Sequence, residues 1–220
     1  MRSKPHRVLG VVMQQWFLAS NMSAPKYITS ACIISNDTVT LNGEQSFAGD
    51  NSGVDSFLLS VYQHFQLSYP KFHKMDRLSK LGWLAAELLL QNFDSAYYQP
   101  EQVGTVLANA NSSLDMDLKY YDSISDVPSP SLFVYTLPNI VAGEICIRHH
   151  FKGENAFFVQ PKFDAEFIQG QVDQLLDQNI LQACICGWVD VLGQAYEAKL
   201  YLVEKIKKDN AVEFAADQMK

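Results

Sequence analysis

Apolar and polar positions along these 220 residues follow two different rhythms, and the change from one to the other marks the elements. From Tyr27 to Ser35 the run YITSACIIS is rich in β-branched residues and stops at Asn36-Asp37, which predicts a strand closed by a turn. The stretch from Asp37 to Asp55 is polar and carries Gly43, Gly49 and Gly53, so it predicts a loop or hairpin. Ser56 to Gln66 reads as a short helix broken at Tyr69-Pro70. Between Met75 and Leu90, Leu78, Leu81, Leu84, Ala85, Leu88 and Leu89 return at helical spacing, with Asp76 placed to favour the helix start.

The same alternation continues downstream. Val103 to Ala108 predicts a second strand, followed by the small-residue loop Asn109 to Ser113. Ile140 to His150 predicts a helix entered through Pro138 and Asn139, with Gly153 in the turn beyond it. Asn155 to Gln160 is then expected as a buried strand, Asp164 to Asn179 as a long helix, and Ile180 to Val191 as a further parallel-type strand holding Gly187 and Trp188. Ala198 to Val203 is expected as an edge strand. In the long helix, Phe167, Ile168, Val172, Leu175 and Leu176 form one stripe, while Gln169, Gln171, Asp173, Gln174, Asp177 and Gln178 fill the rest. One face of that helix is therefore expected to be wet or to meet a polar partner. Strands alternating with helices predict an α/β protein with a mostly parallel mixed sheet flanked by helices.

Composition bounds the function. Hydrophobic residues make up 48% and charged residues 19% of the chain, which fits one folded domain with a sizeable core. A formal net charge of −7 argues against nucleic acid as a partner. The basic clusters from Lys71 to Lys80 and from Lys205 to Lys208 read as solvated faces. Cys32, Cys146, Cys184 and Cys186 all sit in apolar runs, as core residues do, and point to a reducing compartment. Cys184 and Cys186 lack the spacing of a metal site, and no metal is expected. Residues 1–23 are set apart as an N-terminal extension: Arg2, Lys4 and Arg7 precede an apolar stretch interrupted by Gln14 and Gln15, which reads as a weak signal-like segment or an over-extended start ahead of Met22. Residues 24–205 are expected to form the domain and residues 206–220 a charged tail. Nothing approaches the roughly 20 apolar residues that span a bilayer.

Three consecutive runs carry a resemblance: SPSLFVYTLPNI from Ser129 to Ile140, VAGEICI from Val141 to Ile147, and KGENAFFV from Lys152 to Val159. Together they resemble the approach to the active site of β-ketoacyl synthases, and Met75-Asp76-Arg77 resembles the helix that follows the first loop of those domains. The resemblance implies the N-terminal half of a thiolase-like fold, with a strand delivering a nucleophilic cysteine near Lys162 or Phe163. The sequence there is Gln160-Pro161-Lys162-Phe163-Asp164, without a cysteine. Claisen condensation uses a thiolate at a helix N-terminus, where the dipole and backbone N–H groups lower its pKa and hold the oxyanion. The second half that supplies catalytic histidines or a lysine in that family has no counterpart here, since the last histidines are His149 and His150. No catalytic residue and no cofactor is carried over. Gln160 is similar to the glutamine that replaces the cysteine in chain-length-factor subunits.

Other nucleophiles lack partners in the sequence. Ser112 and Ser113 stand near Asp115 and Asp117, but no G-x-S-x-G elbow and no neighbouring base accompany them. The resemblance therefore implies a non-catalytic, cytoplasmic ketosynthase-like subunit of fatty-acid-like, polyketide or aryl-polyene-type biosynthesis. Its implied partners are a full-length ketosynthase, an acyl carrier protein or both, in a homo- or hetero-dimer. Asn155, Ala156, Phe157, Phe158 and Val159 are the implied dimer seam, and Gln160, Phe163 and Phe167 the implied acyl or partner contacts. A stand-alone acyl-binding or scaffold protein and an acyltransferase or hydrolase with an altered site are the alternatives.

Overall fold

A computed structural model describes residues 24–50, 52–124 and 129–219; the extension expected over residues 1–23 lies outside them. The core is one mixed sheet with helices on both faces. Strand β1 (Tyr27–Ser35) runs into the hairpin β2 (Thr38–Leu41) and β3 (Glu44–Ala48), as the polar, glycine-bearing stretch predicts. The sheet order is β3-β2-β1-β7-β6-β4-β5, where β4 is Val103–Asn109, β5 Asn155–Val159, β6 Ala183–Leu192 and β7 Ala195–Glu204. Among the five strands β5-β4-β6-β7-β1, four point the same way and β7 runs against them.

Helix α1 (Val54–His64), α2 (Arg77–Leu89) and α5 (Ile140–His149) cover one face of the sheet. Asp76 caps α2 by accepting the Ser79 N–H at 3.0 Å, which satisfies one of the free N–H groups of the first turn. The predicted leucine stripe is buried, and so are Gly82, Trp83 and Ala86, because α2 is enclosed by the sheet on one side and α5 on the other. At Gly82 a Cβ would lie 2.3 Å from Val141 of α5, so glycine is what lets the two helices approach. Two short helices were not foreseen by the periodicity: α3 (Leu114–Ile124) and α4 (Pro130–Val134), which bridge β4 to α5 and bury little.

The opposite face is covered by α6 (Ala165–Asp177), which buries Ile168, Val172 and Leu176 against β4 and β6 and leaves Glu166, Gly170, Gln174 and Asp177 exposed. The one-sided stripe is thus borne out. Residues 206–219, grouped by composition as a charged tail, pack back onto this face. Strand β8 (Val212–Glu213) pairs with β1, Phe214 and Met219 enter the core, and the Ala216 N–H donates to Gln169 of α6 at 2.9 Å.

Two expectations are corrected. Ala198 to Val203 is no edge strand: it belongs to ten-residue β7, flanked by β1 and β6, because the tight turn at Gly193 (φ +61°) folds it straight back onto β6. Asn155 to Gln160 is not a buried strand either. β5 ends the sheet, and its residues are half-buried or exposed because each phenylalanine packs on one face while the backbone edge stays open. Arg77 joins α2 to the rest of the surface, meeting both carboxylate oxygens of Asp55 and donating to the Gly193 carbonyl at 3.0 Å. The guanidinium hydrogen bonds hold the Asp55 carboxyl below the usual carboxylate range. A lowered folded pKa means this stabilisation is present above the unfolded value of about 4 and is lost as pH falls through the folded one. We expect Asp55→Asn to flatten the acid limb of the stability curve, read by urea unfolding at stepped pH; an unchanged slope would refute the assignment.

Candidate functional site

The strands β4, β5 and β6 are parallel, and their C-terminal ends lie side by side where open α/β sheets place ligands. At the end of β4 the fully buried Asn109 accepts the Ser112 N–H at 2.9 Å and donates to the Ser112 carbonyl at 2.8 Å. These reciprocal bonds hold Ser112 in the left-handed region at φ +50°. Asp190 of β6 accepts the N–H groups of Ala110 and Asn111, at 3.2 and 3.0 Å, and the Asn111 side-chain amide at 2.7 Å. The loop is therefore fastened from two strands. Asn109 and Asp190 escaped the sequence reading, although a lone aspartate in the apolar run from Ile180 to Val191 was the available signal.

Ser113 donates to the Thr136 carbonyl at 2.7 Å and lies 3.1 Å from Asp117. Asp115 is engaged by Lys119 at 3.2 Å and by the Gly193 N–H at 3.0 Å. Neither serine meets a histidine among the described residues, and the two aspartates are committed to protein partners. Among the described residues no group of three metal-ligating side chains exists.

The turn after β5 is where the strand hands over to α6. Gln160 donates its backbone N–H to Asn109 at 2.8 Å, and Asp164 caps α6 by accepting the Phe167 N–H at 3.0 Å. The geometry is strand, tight turn and helix N-terminus, the arrangement that stabilises an anionic nucleophile. Its residues do not supply one. Lys162 is exposed, while Phe163 is half-buried, with its ring 6.3 Å from Trp188 and under the Lys199 ammonium at 5.7 Å. Phe167 meets Phe158 edge-on at 4.9 Å. Phe158, Phe163, Phe167 and Trp188 thus bring an aromatic cluster to this turn; Gln160 stands at the end of the strand.

The cysteines lie elsewhere, all four buried. Burial pushes the Cys146 thiol up to about 11 and raises Cys32, Cys184 and Cys186 as well, the reverse of an activated thiol. His149 ends α5, which leads into the N-terminal end of β5, so it stands at the opposite end of the sheet from the turn. Its Nε2 lies 3.0 Å from Glu87, and its ring stacks on Phe151. A cleft of about 800 Å³ opens away from this turn, between Asn42 and Glu44 of the first hairpin, Phe93, and Lys208 and Asn210 of the tail.

A three-layer sheet ordered in this way, with a strand-to-helix turn at its edge, is the thiolase-like fold of the ketosynthases. The ishigamide ketosynthase/chain length factor superposes with a TM-score of 0.61 at 18% identity, covering 86% of this chain and 64% of that one. The AntDE:AntF assembly, a type II polyketide synthase acyl-carrier protein in complex with its ketosynthase, gives 0.56 at 14% identity, over 83% of this chain and 64% of that one. The ketosynthase ApeO in complex with its chain length factor ApeC from Xenorhabdus doucetiae gives 0.51 at 11% identity, over 82% and 79%. The chain thus spans just under two thirds of the length of the first two. No protein-family model matches the sequence, and no curated protein matches it. Among the described residues no helix is long and apolar enough to cross a membrane.

Proposed function

We propose that this chain is a non-catalytic ketosynthase-like subunit that assists an active condensing enzyme or its acyl carrier protein in fatty-acid-like, polyketide or aryl-polyene-type biosynthesis. One observation carries the reading: at the strand, turn and helix N-terminus where the resemblance implies a nucleophile, this chain has Gln160, Pro161, Lys162 and Phe163. A phenylalanine packed against Trp188 cannot form a thioester, and no described cysteine is exposed. The contribution is then to binding, with Gln160, Phe163 and Phe167 as the contacts nearest the turn and β5 as the pairing edge.

The surface offers a place for an acidic partner. His73 and Lys74 are exposed and Lys80 is half-buried within one short segment of a chain whose net charge is −7. Lys74 and Lys80 make no ion pair among the described residues, whereas Lys71 is committed to Glu144 at 2.7 Å. Unpaired cations of this kind steer association with carboxylate-rich surfaces.

The test is reconstitution with a full-length ketosynthase and a carrier protein from the same source. Co-purification with either is expected, together with no acyl transfer to this chain itself. The double variant Lys74→Glu/Lys80→Glu should weaken carrier binding several-fold and steepen its decline with salt less than the parent does. A chain that binds neither protein, or that accepts acyl groups covalently, would overturn the proposal.

A further inference from the structure

The cleft of about 800 Å³ beside the first hairpin takes no part in the turn after β5, and the sheet explains why it exists. On its outer side β1 pairs with β2 over residues 32–35 and with β8 at Tyr27 and Ile28. Thr29, Ser30 and Ala31 lie between these two neighbours with no described strand beside them on that side, and the register against β7 is irregular at the same place, between Ile28 and Ser30. The sheet edge is therefore notched. Three further segments wall the notch: the hairpin of β2 and β3, the loop that follows α2, and the tail. Its volume falls in the range of small-molecule sites, about 300–1,000 Å³.

The walls are short of available positive charge. Among the described lining residues Lys208 is the cation, and its ammonium is committed to the fully buried Glu204 at 2.8 Å and lies 5.5 Å from the centre of the Phe93 ring. Glu44 of the hairpin and Asp209 of the tail are exposed on different walls, and neither forms an ion pair among the described residues. The side-chain amides of Gln91 and Asn92 after α2, and of Asn210 and Gln218 in the tail, make no hydrogen bond among the described residues either. Phe93 already stacks on Tyr98 at 5.4 Å, and Tyr201 is buried, so the walls offer no open ring face.

This lining selects a ligand by its chemistry. Unpaired carboxylates and amide oxygens accept hydrogen bonds from N–H groups, whereas a carboxylate or phosphate ligand would meet Glu44 and Asp209 with no free cation to hold it. A flat base or sugar ring would find nothing to stack on. Carboxylates on separate walls suit a chain that carries more than one ammonium group, and a concave site of one charge sign concentrates such cations more than an open surface does.

We propose that this cleft binds a linear diamine or polyamine, with its ammonium groups on Glu44 and Asp209 and its methylenes along Leu41 and Val212. The site does not depend on the ketosynthase-like reading. Titration calorimetry of the full chain with spermidine is expected to show saturable binding at one site. Glu44→Gln or Asp209→Asn should weaken it about fivefold and the two together about twentyfold, while the urea midpoint stays in place because both side chains are exposed. Glu166→Gln removes the same charge from the exposed face of α6 and should leave the affinity unchanged. Butylamine, with one ammonium group, should bind at least about tenfold more weakly than spermidine. An equal loss in Glu166→Gln, or displacement of spermidine by magnesium at the same concentration, would reduce the effect to general attraction by a chain of net charge −7 and overturn the site. A parent that binds no spermidine also overturns it. If binding then appears once Arg2, Lys4 and Arg7 are changed to alanine, the chain's own cations replace a free amine as the occupant.

Discussion

Gly187→Ala is expected to lower the stability of the chain by about 3 kcal/mol or more, and the thermal midpoint by roughly 10 °C for a domain of this size. Gly187 sits in β6 with φ +139°, and an added Cβ would lie 1.9 Å from the Lys199 carbonyl oxygen of β7. The obstacle is backbone in the middle of the longest ladder, so it cannot move aside as a flexible side chain could. Gly170 is the control. It lies on the exposed face of α6, where a Cβ meets nothing within 4 Å, so Gly170→Ala should raise stability by about 0.5–1 kcal/mol. Calorimetry of the two variants gives opposite signs if the sheet is packed as described; equal shifts would contradict it.

The second large effect concerns the end of β7. Glu204 is fully buried, and its carboxylate receives Lys208 at 2.8 Å, the Tyr98 hydroxyl at 2.7 Å and the Thr29 hydroxyl. Burial and the neighbouring carboxylate both push the Tyr98 phenol above its ordinary value, so it stays a donor throughout the accessible pH range. Lys208→Met leaves a buried charge with neutral donors alone and is expected to cost about 2–3 kcal/mol, because Lys208 itself is partly exposed and the hydroxyls remain. Lys208→Arg should cost far less. Urea unfolding measures both, and a neutral Lys208→Met would show that the carboxylate does not depend on the ammonium. The tail holds this lysine, so the variant also tests whether residues 206–219 are fastened to the domain.

The extent to which the chain discloses its fold differs by element, for physical reasons. The α2 stripe and the apolar run of β6 are legible because burial on one or both faces leaves a periodic trace. The position of β7 is not, since strand order depends on the turn at Gly193 and on pairing partners far away in sequence. α3 and α4 stayed hidden because helices that bury almost nothing leave no stripe: Leu118 and Tyr121 are exposed. At the candidate site, the absence of a cysteine near Lys162 is readable directly. The fastening of the neighbouring loop by Asp190 is not, because its contacts join residues about 80 positions apart.

The burial of the four thiols gives the chain a chemical signature in mixtures. A condensing enzyme that works through an accessible thiolate consumes an alkylating reagent quickly, whereas Cys32, Cys146, Cys184 and Cys186 lie beneath packed side chains with their thiols held protonated. If the proposed complex with a condensing enzyme forms, reagent added to it would label that enzyme first. Label arriving later on this chain would time the transient openings of its own core.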